Sequence, residues 1–516
     1  MAKAKSRTIF NVICSVLVLV SNIVISLWLS PFIIKNIGVE ANGFVSLASN
    51  FVSYASLIVT ALNSMAARFI TVAYVEKDYK KANLYYNSVF WGNLIIVAVL
   101  IVPAIYLVAR LDSFVNVPSD ILTDVKMLFA FVFSIFFMQT AAPNWTCGTY
   151  VTNRLDRSYI PNIIFTFLKA ILIFSLMYIF KPTVWYVGLV NFIIAFLDTV
   201  VAWYNTHTLT PELKVYVNPK KAICSWQAIK DLVGSGIWGS VSNVGSMLLS
   251  GLDLIICNIF IGPTQMGILS LSKTLPHLMQ SLSASICHAF APELVINYAQ
   301  GNKDKVLRDI NRSMKITSVV LIIPLAGIIV MSSDFYRLWV PSQDAKLLSI
   351  LTTITCLGYA FTSGTQILYN VFSTVNKVKL NAIFMLTSGV VSTALVFVLL
   401  KTTDLGVFAI AGVSVVVNLA RNLLYTIPYA AKYLGFKKTQ FLPQVFTCVL
   451  NTCLLSVVGM IVKRFVTITT WIDFIFVAAL LGVIFLIINI FVFLKKEERR
   501  ALFEKFNWIF KLKSKK

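Results

Sequence analysis

Four cations stand where the amino-acid sequence is otherwise apolar: Arg68, Lys169, Lys273 and Arg421. Three acids share that setting, Asp198, Asp253 and Glu293. A charge inside a membrane-spanning helix costs at least about 2.5 kcal/mol, so each of these needs a partner, a water-filled cavity or a ligand. Asp253 lies near the end of one apolar run and Lys273 near the start of the next, with Gly262-Pro263 between them. At about 1.5 Å per residue both fall about 12 Å below one surface, where they are expected to pair. The alternative makes Lys273 a cavity ligand for an anionic group, with Asp253 modulating it. Arg421 has no acid in its own run and is flanked by Asn418 and Asn422, the mark of a wet cavity. An ammonium recognises phosphate-like anions as a point charge and a guanidinium recognises them as a fork. Lys169 and Asp198 match in depth on neighbouring runs and read as a structural pair, cavity lining being the alternative. Asn22 belongs to a polar stripe with Asn11, Ser15, Ser21, Ser26 and Ser30. His277 and His288 read as core histidines rather than proton carriers.

Membrane helices have to carry these groups. Of 516 residues, 58% are hydrophobic and 13% charged, and the mean hydropathy is +0.82. A soluble domain carries about a quarter charged residues, so this composition excludes both a soluble globular protein and a disordered one. Runs of about 20 apolar residues recur fourteen times, from about 9–34 to about 473–494, which predicts an all-α polytopic membrane protein. The first run is too long for a signal-peptide core and is expected to be retained. Of the 44 Lys and Arg, 31 fall in segments that alternate to one side and 8 to the other. That asymmetry predicts cytoplasmic N- and C-termini, and it accounts for the net charge of +23 without nucleic acid. The tail 495–516 places Leu502, Phe503, Phe506, Trp508, Ile509 and Phe510 among cations, which fits a helix on an anionic leaflet or a plain stop-transfer tail.

Eight Cys without a CxxC and three His leave no disulfide framework, and no metal or cofactor is expected. No GxxxxGK[ST] loop occurs, so any work is driven by an ion gradient, the membrane potential or product consumption rather than by an ATPase within the chain.

Shifting the chain by 224 residues lays NIGVEANGFVSL (36–47) over FIGPTQMGILSL (260–271), matching Gly38 with Gly262 and Gly43 with Gly267. Six spans separate the two segments, so the repeat is parallel, with its axis along the membrane normal. The expected domains are therefore an amino-terminal lobe over 1–217, a carboxy-terminal lobe over 218–436, two appended helices over 437–494 and a basic tail over 495–516. The same offset maps Arg68 onto Pro292, beside Glu293, which puts Arg68 and Glu293 at one depth near the cytoplasmic ends of the second and eighth spans. A bridge between them could close the inner mouth; independent snorkelling is the alternative.

The opening segment through LSPFIIKNIGVEANGFVSL, and its counterpart LDLIICNIFIGPTQMGILSLSKTL, resemble Wzx-type oligosaccharide-lipid flippases of the MOP (MATE-like) exporter superfamily. The resemblance implies a V-shaped, two-lobed transporter whose first, second, seventh and eighth helices line a cavity. It implies as substrate an undecaprenyl-pyrophosphate-linked oligosaccharide, flipped by alternating access for surface polysaccharide assembly, with a polymerase and glycosyltransferases as associated proteins. Arg68, Lys169, Lys273, Arg421 and Asn22 are then the candidate cavity residues, and Glu293, Asp253 and Asp198 the gating or pairing acids. A MATE-type cation-coupled drug antiporter is the alternative, weakened because the first span contains no Asp or Glu. A membrane enzyme is disfavoured because loops such as LDSFVNVPSDILTDV are too short for a sugar-processing site.

Overall fold

The computed structural model describes residues 2–142, 145, 147–152, 154–216, 225–301 and 303–493, and among these there is no strand. The amphipathic tail expected over 495–516 lies outside the described residues. In chain order the helices are α1 (Ala2–Asn36), α2 (Val39–Asn63), α3 (Ala66–Val75), α4 (Tyr79–Ala109), α5 (Leu111–Phe114), α6 (Leu122–Ala141), α7 (Cys147–Val151), α8 (Asp156–Ile179), α9 (Trp185–Leu209) and α10 (Trp226–Ser246). A π-helical turn, Met247–Gly251, leads into α11 (Asp253–Phe260), α12 (Pro263–Ser272), α13 (Thr274–Ala299), α14 (Lys303–Trp339) and α15 (Ala345–Thr362). A 3₁₀ turn, Gln366–Leu368, precedes α16 (Tyr369–Thr374), then α17 (Val378–Thr402) and α18 (Val407–Arg421). A second π turn, Asn422–Thr426, joins α19 (Ile427–Tyr433), and α20 (Leu442–Lys463) and α21 (Trp471–Phe493) complete the chain.

Eleven of the described helices are long and apolar enough to cross a membrane, and a twelfth counts if the pair bent by 40° at Leu252 is one span. Helical segments occupy all fourteen expected runs. The expected count of fourteen adds to these α1, whose described residues qualify only over Val20–Asn36, and the 263–299 stretch, which is interrupted at Lys273.

Contacts divide the chain into two compact units, Met1–Ser270 and Leu271–Lys516. This division differs in kind from the repeat boundary at 217/218, which is set by sequence register. In the first unit α6 packs on α9, α1 on α8, and α10 along α2. Gly236 permits the last of these: a Cβ there would collide with the Ala61 carbonyl and stand 2.5 Å from the Ser64 hydroxyl. Asn63 and Asn93, the latter fully buried, exchange amide hydrogen bonds of 3.3 and 2.9 Å between α2 and α4. Lys126, which the sequence places at a span end, reaches across the loop to Asp112 at 2.8 Å and to the Ala109 carbonyl at 2.9 Å. The hydrogen bond from Lys126 holds the Asp112 carboxyl below the usual carboxylate range.

The second unit is centred on α14, which packs against α13, α15, α20 and α21. Buried Asp334 on α14 bridges Arg337 at 3.0 Å and Lys463 of α20 at 2.5 Å, so three charges at the helix ends offset one another. At the break after α15, Gly364 lets the chain press onto α14 and α20. A Cβ there would lie 2.5 Å from the Ser318 hydroxyl and 3.0 Å from the Cys448 sulfur. Gly364→Val is therefore expected to overpack the junction by about 1–3 kcal/mol and to lower the thermal unfolding midpoint of the detergent-solubilised protein. An unchanged midpoint would show that the junction yields freely.

Candidate functional site

Charge and helix irregularity coincide in the second repeat. Asp253 opens α11 two residues after the π turn Met247–Gly251, Lys273 sits at the break between α12 and α13, and Arg421 is the last α-helical residue before the π turn Asn422–Thr426. Interrupted helices free backbone groups and redirect side chains, which is why buried polar sites in membranes are built on them.

The Arg421 cluster is the most complete. The residue is 7% exposed, and one Nη donates to the Asn418 Oδ1 at 2.9 Å and to the Tyr369 hydroxyl at 3.0 Å. Tyr369 opens α16 just past the 3₁₀ turn, its ring lies 5.4 Å from the guanidinium carbon, and its hydroxyl donates to the Asn422 Oδ1 at 2.6 Å. Asn422 in turn donates to the Asn418 carbonyl at 2.9 Å. The hydrogen bonds and the ring contact of Arg421 are therefore all to neutral groups, and among the described residues no carboxylate pairs with it. Its Nε has no hydrogen-bond partner there, and the Tyr425 and Thr426 hydroxyls in the adjoining π turn are likewise unmatched among the described residues. A buried cation satisfied only by dipoles keeps its full attraction for an anion.

In the first unit a polar seam runs between α1 and α8. The Thr166 hydroxyl donates to Asn22 at 3.3 Å and to the Asn162 carbonyl at 2.7 Å. Asn162, Thr166 and Lys169 recur at helical spacing, so Lys169 shares the face of α8 that looks to α1. This corrects the expected pair: Lys169 and Asp198 are both half-buried, yet no ion pair joins them. Equal depth on adjacent helices fixes height and leaves rotation open, and Lys169 is turned toward α1.

Arg68 is exposed on α3. The Glu293 side chain, like that of His288, lies outside the described residues, and the expected bridge to Arg68 lies outside them with it. Asp253 is buried in the first unit and Lys273 half-buried in the second, and each has a partner.

The two repeat-related turns meet. Gly38 and Gly262 adopt φ of 131° and 133°, a conformation open to glycine and rarely to other residues. Thr264 donates to Glu40 at 2.7 Å, a pair separated by the repeat offset of 224 residues. A Cβ on Gly43 would stand 2.9 Å from the Cα of Gly267, its own repeat partner, and one on Gly267 would strike the Val39 carbonyl. Asn42 adds a hydrogen bond of 3.3 Å to Ser270. The sequence registered these glycines as repeat marks; that they touch required the fold.

Residues 9–298 match the family described as "Polysaccharide biosynthesis protein". The chain belongs to this family. It is similar over nearly its whole length to the "Uncharacterized membrane protein EpsK" of Bacillus subtilis (strain 168), 26% identical over 495 residues that cover 94% of this chain and 95% of that protein. Among solved structures, the fold is similar to lipid II flippase MurJ in an inward closed conformation, with a TM-score of 0.63, 14% identity, and coverage of 93% of this chain and 98% of that one. It is similar also to an inward-facing MATE multidrug transporter of the MOP superfamily, with a TM-score of 0.61, 13% identity, and coverage of 81% and 94%. The solved structures that share this fold are membrane transporters of the flippase and exporter kind. The resemblance read from the two glycine-bearing turns is thereby borne out.

Proposed function

We propose that this transporter flips a lipid-linked oligosaccharide, on an undecaprenyl-pyrophosphate-type carrier, across the bacterial plasma membrane from its cytoplasmic side. The observation that carries this reading is the buried Arg421 guanidinium, held by Tyr369 and Asn418 with no carboxylate to neutralise it among the described residues. The anionic pyrophosphate of such a carrier supplies the missing charge, and Lys273 of the same unit is proposed as a further contact to it. An isoprenoid tail needs apolar surface. A cavity of about 300 Å³ in the second unit, lined by Leu275, Pro324, Met331, Phe335, Phe474 and Leu481, offers it. The family description supports polysaccharide assembly as the setting, and the likeness to a lipid II flippase supports a lipid-linked cargo.

Depleting the protein in its host tests the reading. Surface polysaccharide is expected to fall while its lipid-linked precursor accumulates at the cytoplasmic leaflet. Normal polymer with no accumulation would refute it.

A further inference from the structure

A cleft of about 530 Å³ lies in the first unit, apart from both polar clusters, with Phe90, Trp145, Trp203, His207, Leu213 and Lys214 on its walls. Its volume falls in the range of small-molecule sites, about 300–1,000 Å³. One wall is aromatic. Trp203 and His207, a turn apart on α9, hold their rings 4.7 Å apart, and both side chains are exposed. Trp145 is fixed beside them, because its carbonyl accepts the Thr206 hydroxyl.

The other wall is an extended strap, residues 211–216, and it is fastened in an unusual way. Asn83 donates to the Glu212 carbonyl at 2.8 Å and accepts the Lys214 N–H at 2.9 Å. One helical turn on, Asn87 donates to the Lys214 carbonyl at 2.9 Å and accepts the Tyr216 N–H at 2.8 Å. The Trp91 indole adds a bond of 3.3 Å to the Tyr216 carbonyl. Two side-chain amides, 6% and 0% exposed, thus imitate the edge of a β-strand and satisfy both polar groups of Lys214. A wall that merely faced lipid would need apolar residues and no buried amides. This one fixes the backbone of a cation opposite two indoles.

We infer that the cleft is a docking site for the glycosyl-phosphate head of the cargo. Indole faces stack on the apolar C–H face of a pyranose ring, and Lys214 takes the phosphate as a point charge. The inference rests on the lipid-linked-oligosaccharide reading above and adds a first station to it. By the Lys and Arg asymmetry the 206–230 segment faces the cytoplasm, where such a precursor would be made.

The test uses the full-length protein in phosphatidylcholine nanodiscs and calorimetric titration with geranyl diphosphate-linked N-acetylglucosamine. Bare geranyl diphosphate and N-acetylglucosamine 1-phosphate are titrated in parallel. The sugar-bearing lipid is expected to bind wild type more tightly than either. Trp203→Ala and Lys214→Ala should each weaken it about tenfold with unchanged thermal midpoints, while Trp203→Phe and Tyr204→Ala bind as wild type. Equal binding by wild type and both alanine variants would overturn this site and leave the functional reading intact. Equal affinity for bare geranyl diphosphate would make the cleft a lipid surface and overturn it too. No binding to wild type at all would overturn the functional reading and this inference together.

Discussion

Replacing Gly43 by alanine is expected to shift the transporter away from the state in which its two repeat-related turns touch, and Gly43→Leu to abolish polymer export outright. The added Cβ stands 2.9 Å from the Gly267 Cα, and backbone cannot step aside as a side chain can. Overpacking of this kind costs about 1–3 kcal/mol, which is about 5- to 150-fold in the population of the closed contact. Gly239 provides the control, since a Cβ there meets nothing within 4 Å and Gly239→Ala should be silent. The population is read with cysteines at Glu40 and Thr264 and a short bifunctional thiol reagent. Cross-linking is expected to be efficient in the parent, to block export until reversed, and to drop in the Gly43→Ala background. Export that continues with the two turns covalently tied would show that they never part, and the contact would then be a static brace.

The second large effect is expected at Arg421. Arg421→Met keeps the volume and removes the charge, so it is expected to abolish export while the thermal midpoint holds or rises. A buried charge without a countercharge costs stability, and an apolar replacement recovers it. The loss of a charge-assisted contact to the cargo is worth about 1.5–3 kcal/mol, or about 10- to 150-fold in affinity. Arg421→Lys keeps the point charge and loses the fork, so partial export is expected from it. Tyr369→Phe removes the hydroxyl that receives the Arg421 Nη at 3.0 Å and should give an intermediate defect. Ordinary export by a well-expressed Arg421→Met protein would remove Arg421 from the site.

Much of this architecture is legible in sequence because a membrane imposes a long, uniform signal. Every expected apolar run is helical, and the 224-residue register predicted that Gly38 and Gly262 are equivalent, which their matching φ values bear out. Arg421 was recognisable as a cation without an acid in its own run. What sequence could not supply is rotation and irregularity. Depth along a helix follows from counting residues, and that is why Lys169 and Asp198 looked like partners; which way each points depends on packing, and Lys169 shares the α8 face whose Thr166 bonds Asn22 of α1. The π turns beside Asp253 and Arg421 have no composition of their own, so the coincidence of charge with interrupted helix emerged only in three dimensions. Tyr369 was missed for the same reason, lying 52 residues from Arg421 in the chain. The strap at 211–216 was hidden because Asn83 and Asn87 look like ordinary polar residues at the start of a helix.

The central claim is that this protein moves a lipid-linked oligosaccharide across a bilayer without altering it, and reconstitution tests it most directly. Purified protein is placed in liposomes loaded on the inner leaflet with a prenyl-diphosphate-linked oligosaccharide, and a glycosidase added outside reports each molecule that emerges. Vesicles with the wild-type protein are predicted to expose the glycan far faster than protein-free vesicles, with the lipid chemically intact before cleavage, and Arg421→Met vesicles to match the protein-free rate. Exposure no faster than in protein-free vesicles, or recovery of a chemically altered lipid from the wild-type sample, would contradict it.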